Sequence, residues 1–338
     1  MKKLLAIVIL ASLAYSGYWF FMAQMRENLL EEWLAERRTE GWVADVGALD
    51  VSGFPNRIDT FVKDLALADP DQGWRWDAEE FQILSMSWKP QHLIAVWPGE
   101  QVIGSPYETI RVGSQTLRGS VIFRPTPRLE LDRSTIEIEA LTLTGDLGWQ
   151  AQIASALLAT RQAPDTDPNA HEISFEAKGV VPPNAWTDEI PGSRALPRQM
   201  ERLNLDAVIT FDRPLDRIAV ETENPAILAI GLEDASAVWG DLGLRAKGEV
   251  IQDSEGFAEG EISLRARNWR KMLDLAEEGE AITPDLAAAM RSGLDFIALL
   301  SGDRESIEVP LTFRNGSTYL GPIPIGAAPR LSRSQALP

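Results

Sequence analysis

The sequence has no cysteine and only two histidines, His92 and His171. Without cysteine there is no disulfide, no thiolate nucleophile, no cysteine-ligated zinc and no lipid anchor built on a thiol. Two histidines cannot furnish a multi-histidine metal centre. Cations are outnumbered, 32 Lys and Arg against 50 Asp and Glu, for a net charge of −18. Binding a phosphate backbone needs clustered cations, so this balance argues against nucleic acid as a partner and is read as solubility through self-repulsion. Also missing are a GxSxG elbow, a Walker loop, an HExxH pair and a dinucleotide fingerprint.

What is present is a folded-protein composition, 45% hydrophobic and 24% charged, over 338 residues, enough for one large or two moderate units. Residues 1–3, MKK, precede LLAIVILASLAYSGYWFFMA at 4–23, which carries no charge. Twenty residues at ~1.5 Å each give ~30 Å, the hydrocarbon thickness of a bilayer. Lys2 and Lys3 predict a cytoplasmic tip at 1–3, a transmembrane helix over 4–23 and a bulk exported across a bacterial inner membrane into the periplasm. A cleaved signal peptide is the alternative, with Ala14-Tyr15-Ser16 as a weak site, but the apolar run continues past it through Trp19, Phe20 and Phe21. Residues 24–41 predict a membrane-proximal amphipathic helix with Met25, Leu29, Trp33 and Leu34 on one face and Gly41 as its stop. That face would rest on the membrane or pack on the domain.

From Trp42 the apolar period changes from helical to alternating. LNLDAVITF (203–211), EISLRARN (261–268) and SIEVPLTF (306–313) each set apolar residues on one parity and polar ones on the other, as half-buried antiparallel strands do. Asn315-Gly316 predicts a tight hairpin into STYLGPIPIG. FQILSMSW (81–88) and HLIAVW (92–97) are apolar on both parities and predict central strands joined by a Lys89-Pro90 corner. STIEIEALTLTG (134–145) switches parity near Ala140-Leu141, which predicts a bulge or a bend. VSGFPNRIDTFVKDLALADP resolves into a strand at 46–51, a turn at Gly53-Phe54-Pro55-Asn56, a strand at 58–67 and a turn at 69–73.

Helices are few. One is predicted over 150–161. A helical hairpin is predicted over 268–300, its first helix capped by Asn268 and ended by Gly279, its second starting at Thr283-Pro284 with Leu286, Met290, Leu294 and Ile297 facing the core. RQAPDTDPNAHE (161–172) is the expected boundary between an N-terminal β-rich half (42–162) and a C-terminal one (170–329), with 330–338 a disordered tail.

The stretch from Val51 to Gln101, with the later WGDLGLRAKGEV, LRARNWRKMLDLA and EVPLTFRNGSTYLGPIPIG, resembles an uncharacterised bacterial family, domain of unknown function 2125, over about 42–329. That resemblance implies a single N-terminal span ahead of the domain and brings no catalytic residue. The strand–turn–strand pattern around Asp253-Ser254-Glu255-Gly256 and Gly260 is distantly similar to AsmA-like envelope proteins, which implies a β-sheet engaged in lipid handling.

Candidate chemistry is sparse. Asp69, Asp71 and Glu80, and again Asp165, Asp167, Asn169 and Glu176, mimic calcium-loop spacing, yet Trp74 and Ala170 stand where the central glycine belongs. Both read as acidic turns. His92 at a strand start reads as structural and His171 as a solvated loop residue. Trp42, Trp74, Trp76, Trp88, Trp97, Trp149, Trp186, Trp239 and Trp269 read as core and strand-end anchors, or as an aromatic groove. No catalytic, cofactor-binding or metal residue is nominated.

The expected fold class is mainly β (α+β), antiparallel meander or sandwich-like sheets with a few helices and one transmembrane helix. The expected partners are the inner membrane through 4–23, a lipid or other apolar ligand in a β groove, and envelope proteins. A scaffold or assembly factor and a periplasmic hydrolase are the alternatives.

Overall fold

The structure is a computed structural model describing residues 1–164, 166–221, 224–301 and 303–331. The chain forms two compact units, the first made of Met1–Phe123 and Ile136–Gly148, the second of Arg124–Thr135 and Trp149–Pro338. The protein is mostly β, and the strand pairings between described residues are antiparallel.

In the first unit a single helix, α1 (Lys2–Thr39), runs unbroken through both the apolar stretch and the amphipathic one. Gly41, at φ +92°, ends it, a conformation glycine adopts without steric cost. Short strands β1 (Val43–Asp45) and β2 (Ala48–Ser52) both pair with β3 (Asp59–Asp69). The expected corner is present: Ser52 opposes Asp59 on either side of the Gly53–Asn56 turn. β4 (Trp74–Met86) is central, paired with β3, β5 (Lys89–Val96) and β6 (Glu100–Gly104). β7 (Thr109–Gly113), β8 (Thr116–Phe123) and β9 (Leu131–Gly145) complete the unit, the first residues of β9 lying in the second. Ala140 sits at φ +50°, a local break in the extended backbone at the point where the sequence parity switches.

The second unit is a meander: β10 (Gln150–Gln162), β11 (Ala170–Val181), β12 (Met200–Phe211), β13 (Ile227–Trp239), β14 (Leu242–Gln252), β15 (Ala258–Arg267), β16 (Ser306–Arg314), β17 (Ser317–Leu320) and β18 (Ile323–Ala327), each paired with the next. The helix expected over 150–161 is instead β10. Its Ala- and Leu-rich sequence favours a helix locally, but pairing with β11 from Gln152 to Gln162 satisfies its backbone and overrides that preference. The stretch at 161–172 turns from β10 into β11 within this unit; Asp165 lies outside the described residues.

Short helices α2 (Asn184–Glu189) and α3 (Arg217–Glu221) and a 3-10 turn (Pro191–Ala195) occupy the connections. The predicted helical hairpin stands between β15 and β16 as α4 (Trp269–Glu278) and α5 (Pro284–Ser301). Thr283 caps α5 by accepting the Leu286 N–H. Asn268 does precede α4 but does not cap it: it sits at φ +56° and its side-chain amide donates to the Asp241 carbonyl at 2.8 Å. Trp269, Leu273, Leu294 and Ala298 of the hairpin bury Ile307, Val309 and Leu320 beneath them. Asn315 and Gly316 both take positive φ, as the predicted hairpin requires. Of the tail expected at 330–338, Arg330 lies over the Phe257 ring and the Leu331 N–H donates to the Gly256 carbonyl, so these two are ordered by pairing with the β14–β15 turn. Residues 332–338 lie outside the described ones.

Candidate functional site

Strand alternation sends neighbouring side chains to opposite faces, so the register of the second unit tells what each face of its sheet carries. One row across seven strands reads Leu158, Phe175, Leu205, Ala235, Ala246, Leu264 and Val309. The next reads Ala156, Ala177, Leu203, Ala237, Leu244, Ala266 and Ile307. On the other side of it come Thr160, Ile173, Ala207, Leu232, Gly248, Ile262 and Leu311. The opposite face is polar, with Glu176, Asn204, Ser236, Arg245, Arg265 and Glu308 in a single row.

Seven strands ~4.8 Å apart make the apolar face ~29 Å wide. The α4–α5 hairpin packs on its β15–β16 end. Toward β10–β14 the same face is only half-buried at Phe175, Leu203, Leu205, Ile209 and Leu232, and Leu158 and Leu244 are 38% and 42% exposed. Soluble proteins seldom leave an apolar surface of this breadth in water without a use for it. Two depressions in this unit, of about 510 and 690 Å³, are lined mainly by polar residues instead, including Arg161, Glu172 and Asp206 in the first and Asp234, Lys247 and Glu249 in the second, and Arg161 is already paired with Glu172 at 2.6 Å.

The first unit has its own apolar face, where Val62 opposes Phe81 and Ile83 opposes both Thr60 and Ala95. Trp76, Phe81 and Trp97 form a chain of ring contacts on it, with centroids 5.3 and 5.5 Å apart. The Trp76 indole N–H donates to Gln101 Oε1 at 2.7 Å, which settles its one polar atom. Trp42 meets Trp74 edge-on, and Trp269 is buried in the hairpin core. Trp88 is exposed, and the side chain of Trp186 lies outside the described ones.

The two histidines fall in different units. His92 hydrogen-bonds through Nε2 to Ser120 Oγ across the β5–β8 pair at 2.9 Å. His171 is not solvated: it opposes Ile209 on the apolar face, is 3% exposed and packs edgewise near Phe211. Burial, aided by the positive charge of Arg124, holds its imidazole below the ordinary histidine range despite the nearby Asp132. The first calcium-like stretch is a plain acidic turn in which Asp69 Oδ1 accepts the N–H groups of Asp71 and Gln72. In the second, Asp167 Oδ1 caps Asn169, and Glu176 faces Lys178. Among the described residues no cluster of three or more His, Asp or Glu is placed to hold a metal ion.

Residues 19–329 match the family described as an uncharacterized protein conserved in bacteria, DUF2125. The chain belongs to the DUF2125 family. No curated protein and no solved structure matches it. The DUF2125 region begins at Trp19, inside α1. α1 is long and apolar enough to cross a membrane, and almost none of its most apolar stretch is buried in the protein. Its buried residues are Trp19, Ala23 and Leu34.

Those residues set the docked face of α1, and of the two places expected for the amphipathic stripe, membrane surface or domain, most of it does not take the second. Met25, Leu29 and Trp33 are exposed; only Leu34 of the predicted face is buried, against Ala44, Val62, Leu65 and Leu67. Nearer the N-terminus the docked face runs through Tyr15, Tyr18, Trp19, Ala23 and Arg26 onto the 53–58 turn and Ser85–Ser87. Tyr15 and Ser87 share a hydroxyl–hydroxyl bond of 2.6 Å, Tyr18 donates to the Ser87 carbonyl at 2.9 Å, and the Trp19 indole donates to the Arg57 carbonyl at 2.6 Å. Arg26 donates to the Ile58 carbonyl and to Ser85 Oγ. The readable signal was polar: an arginine seven residues after a tryptophan on one helical face, and two serines in the largely apolar stretch FQILSMSW at the end of β4 and the turn after it.

Proposed function

We propose that this DUF2125 protein is anchored in a bacterial inner membrane by α1, with its N-terminus cytoplasmic and its two units periplasmic, and that it holds lipid or another apolar ligand on the apolar sheet face of the second unit. The observation carrying this reading is the breadth of that face. Rows made mostly of Leu, Ile, Phe and Ala run uninterrupted by charge from β10 to β16, while the α4–α5 hairpin packs over the β15–β16 end. An acyl chain laid over β10–β14 would remove these side chains from water, at ~25 cal/mol per Å² of apolar area covered. The lysines ahead of the span support the orientation. Native mass spectrometry with lipid extraction of the gently solubilised full chain tests the ligand. Stoichiometric lipid that is lost in a Leu158→Gln, Leu244→Gln variant supports the reading; both side chains are exposed enough for the variant to fold. Lipid content unchanged by these substitutions, or a clean apo mass, counts against it.

A second reading, an assembly factor working through protein partners, is favoured by the exposed Met25, Leu29 and Trp33 stripe of α1 beyond the apolar stretch. Photocrosslinking from position 29 in native membranes tests it. Discrete protein adducts would support a partner helix, and lipid-only adducts would oppose one.

A further inference from the structure

The docking of α1 onto the first unit fixes how deep that unit sits. The apolar stretch needs all of residues 4–23 to cross ~30 Å of hydrocarbon. The first side chain to touch the domain is Tyr15, only ~16 Å along from Leu4. A segment of that length crosses half a bilayer, and local thinning does not absorb a shortfall of ~14 Å. If α1 spans, the part of the domain alongside Tyr15 to Ala23 lies inside the far leaflet.

The surface of that part suits such a position. Phe54, Met86 and Trp88, at the tip formed by the 53–58 turn and the β4–β5 corner, are 51%, 42% and 56% exposed. Phe54 stacks on Phe20 and meets Trp19 edge-on, so it extends the apolar surface of the helix. From Pro55 to Ile58 and at Ser87 the backbone carbonyls find partners within the protein. Irregular backbone at membrane depth is tolerated only where its polar groups are satisfied by the protein. Here the Pro55 carbonyl accepts from Ser87 Oγ, that of Asn56 from the Ser87 N–H and hydroxyl, and that of Arg57 from Trp19. Ile58 and Ser87 receive Arg26 with Ser85, and Tyr18, respectively. The Arg57, Ile58 and Ser87 N–H groups are bonded to Gly53, Ser85 and Asn56 carbonyls. The charged side chains at the tip are long ones: Arg57, paired with Asp59 at 2.7 Å, and Lys89, both able to extend toward the headgroups.

We infer that the Phe54–Met86–Trp88 tip of the first unit is a membrane-inserted element, seated in the acyl region of the leaflet opposite the N-terminus and clamped to the transmembrane helix through Tyr15, Tyr18, Trp19 and Arg26. This rests on the reading of α1 as a membrane span. The absence of cysteine makes the test direct. Single-cysteine variants of the full chain at Leu10, Phe54, Trp88 and Tyr107 are labelled with an environment-sensitive fluorophore and reconstituted in phospholipid vesicles containing acyl-chain-brominated lipid. Tyr107 is the control, exposed beside the Gly73 turn at the other end of β4 from Met86. The expected result is loss of fluorescence at 10, 54 and 88 and none at 107. Quenching at 10 alone would overturn the inserted tip and leave the anchor standing. No quenching even at 10 would remove the anchor and the tip together. Equal quenching at 107 would mean the unit lies flat on the bilayer, which also overturns a specific tip.

Discussion

At the residue scale, Trp19 and Trp33 are two tryptophans on one helix with opposite roles. Trp19 is buried, with its indole bonded to the Arg57 carbonyl, whereas Trp33 is exposed. Trp19→Ala is expected to destabilise the first unit by ~3–5 kcal/mol and Trp33→Ala by less than ~0.5 kcal/mol, read by thermal unfolding in detergent. His171 supplies a pH dependence. Its pKa is depressed in the fold, so the unfolded chain binds the proton more readily. The neutral histidine's contribution is complete above the unfolded pKa of ~6.5 and declines as pH falls below it. Urea unfolding at pH 7.5 and 5.5 should show a second-unit stability that drops at the lower pH, with the drop reduced in His171→Leu. The sequence places His171 in a polar loop context, among Asn169, Glu172 and prolines. Only its pairing with Ile209 reveals it as a member of the apolar face.

At the element scale, strands with clean alternation and turns with committed chemistry were legible: β12, β15, β16, the Asn315-Gly316 hairpin and the backbone break at Ala140. Each rests on local sterics that few contexts override. β10 was not legible, because alanine- and leucine-rich segments are compatible with either period and only the partner strand chooses. The docked face of α1 was not legible either, for a related reason. Helical periodicity finds the most apolar stripe, but that stripe is left outward and the docked one is half polar. One position in the sheet is set by steric contact: Gly248 lies at φ +156°, and a Cβ there would fall 2.2 Å from the Glu261 carbonyl oxygen and 2.7 Å from the Ile262 Cα. Gly248→Ala should therefore cost more than ~2 kcal/mol through separation of β14 from β15, whereas Gly231→Ala, whose Cβ would find its nearest atom at 3.8 Å, should cost less than ~1 kcal/mol; hydrogen exchange across the strand pair reads both.

At the scale of the whole molecule, the lipid-retention and insertion experiments ask how far apolar surface is shared between protein and membrane. An inserted tip and an apolar sheet face would belong to one physical theme, with apolar area kept available for lipid rather than closed over. What the sequence by itself determined is the apolar span, the mainly β architecture, the helical hairpin and the absence of thiol and multi-histidine chemistry. These follow from composition and from periods of two and 3.6, which are properties of a few neighbouring residues. The tertiary structure alone decided which parity of each strand joins a common face, which stripe of α1 docks, and how deep the first unit would sit beside it. Those outcomes depend on register between segments tens of residues apart, where a shift of one residue would turn every side chain to the other side.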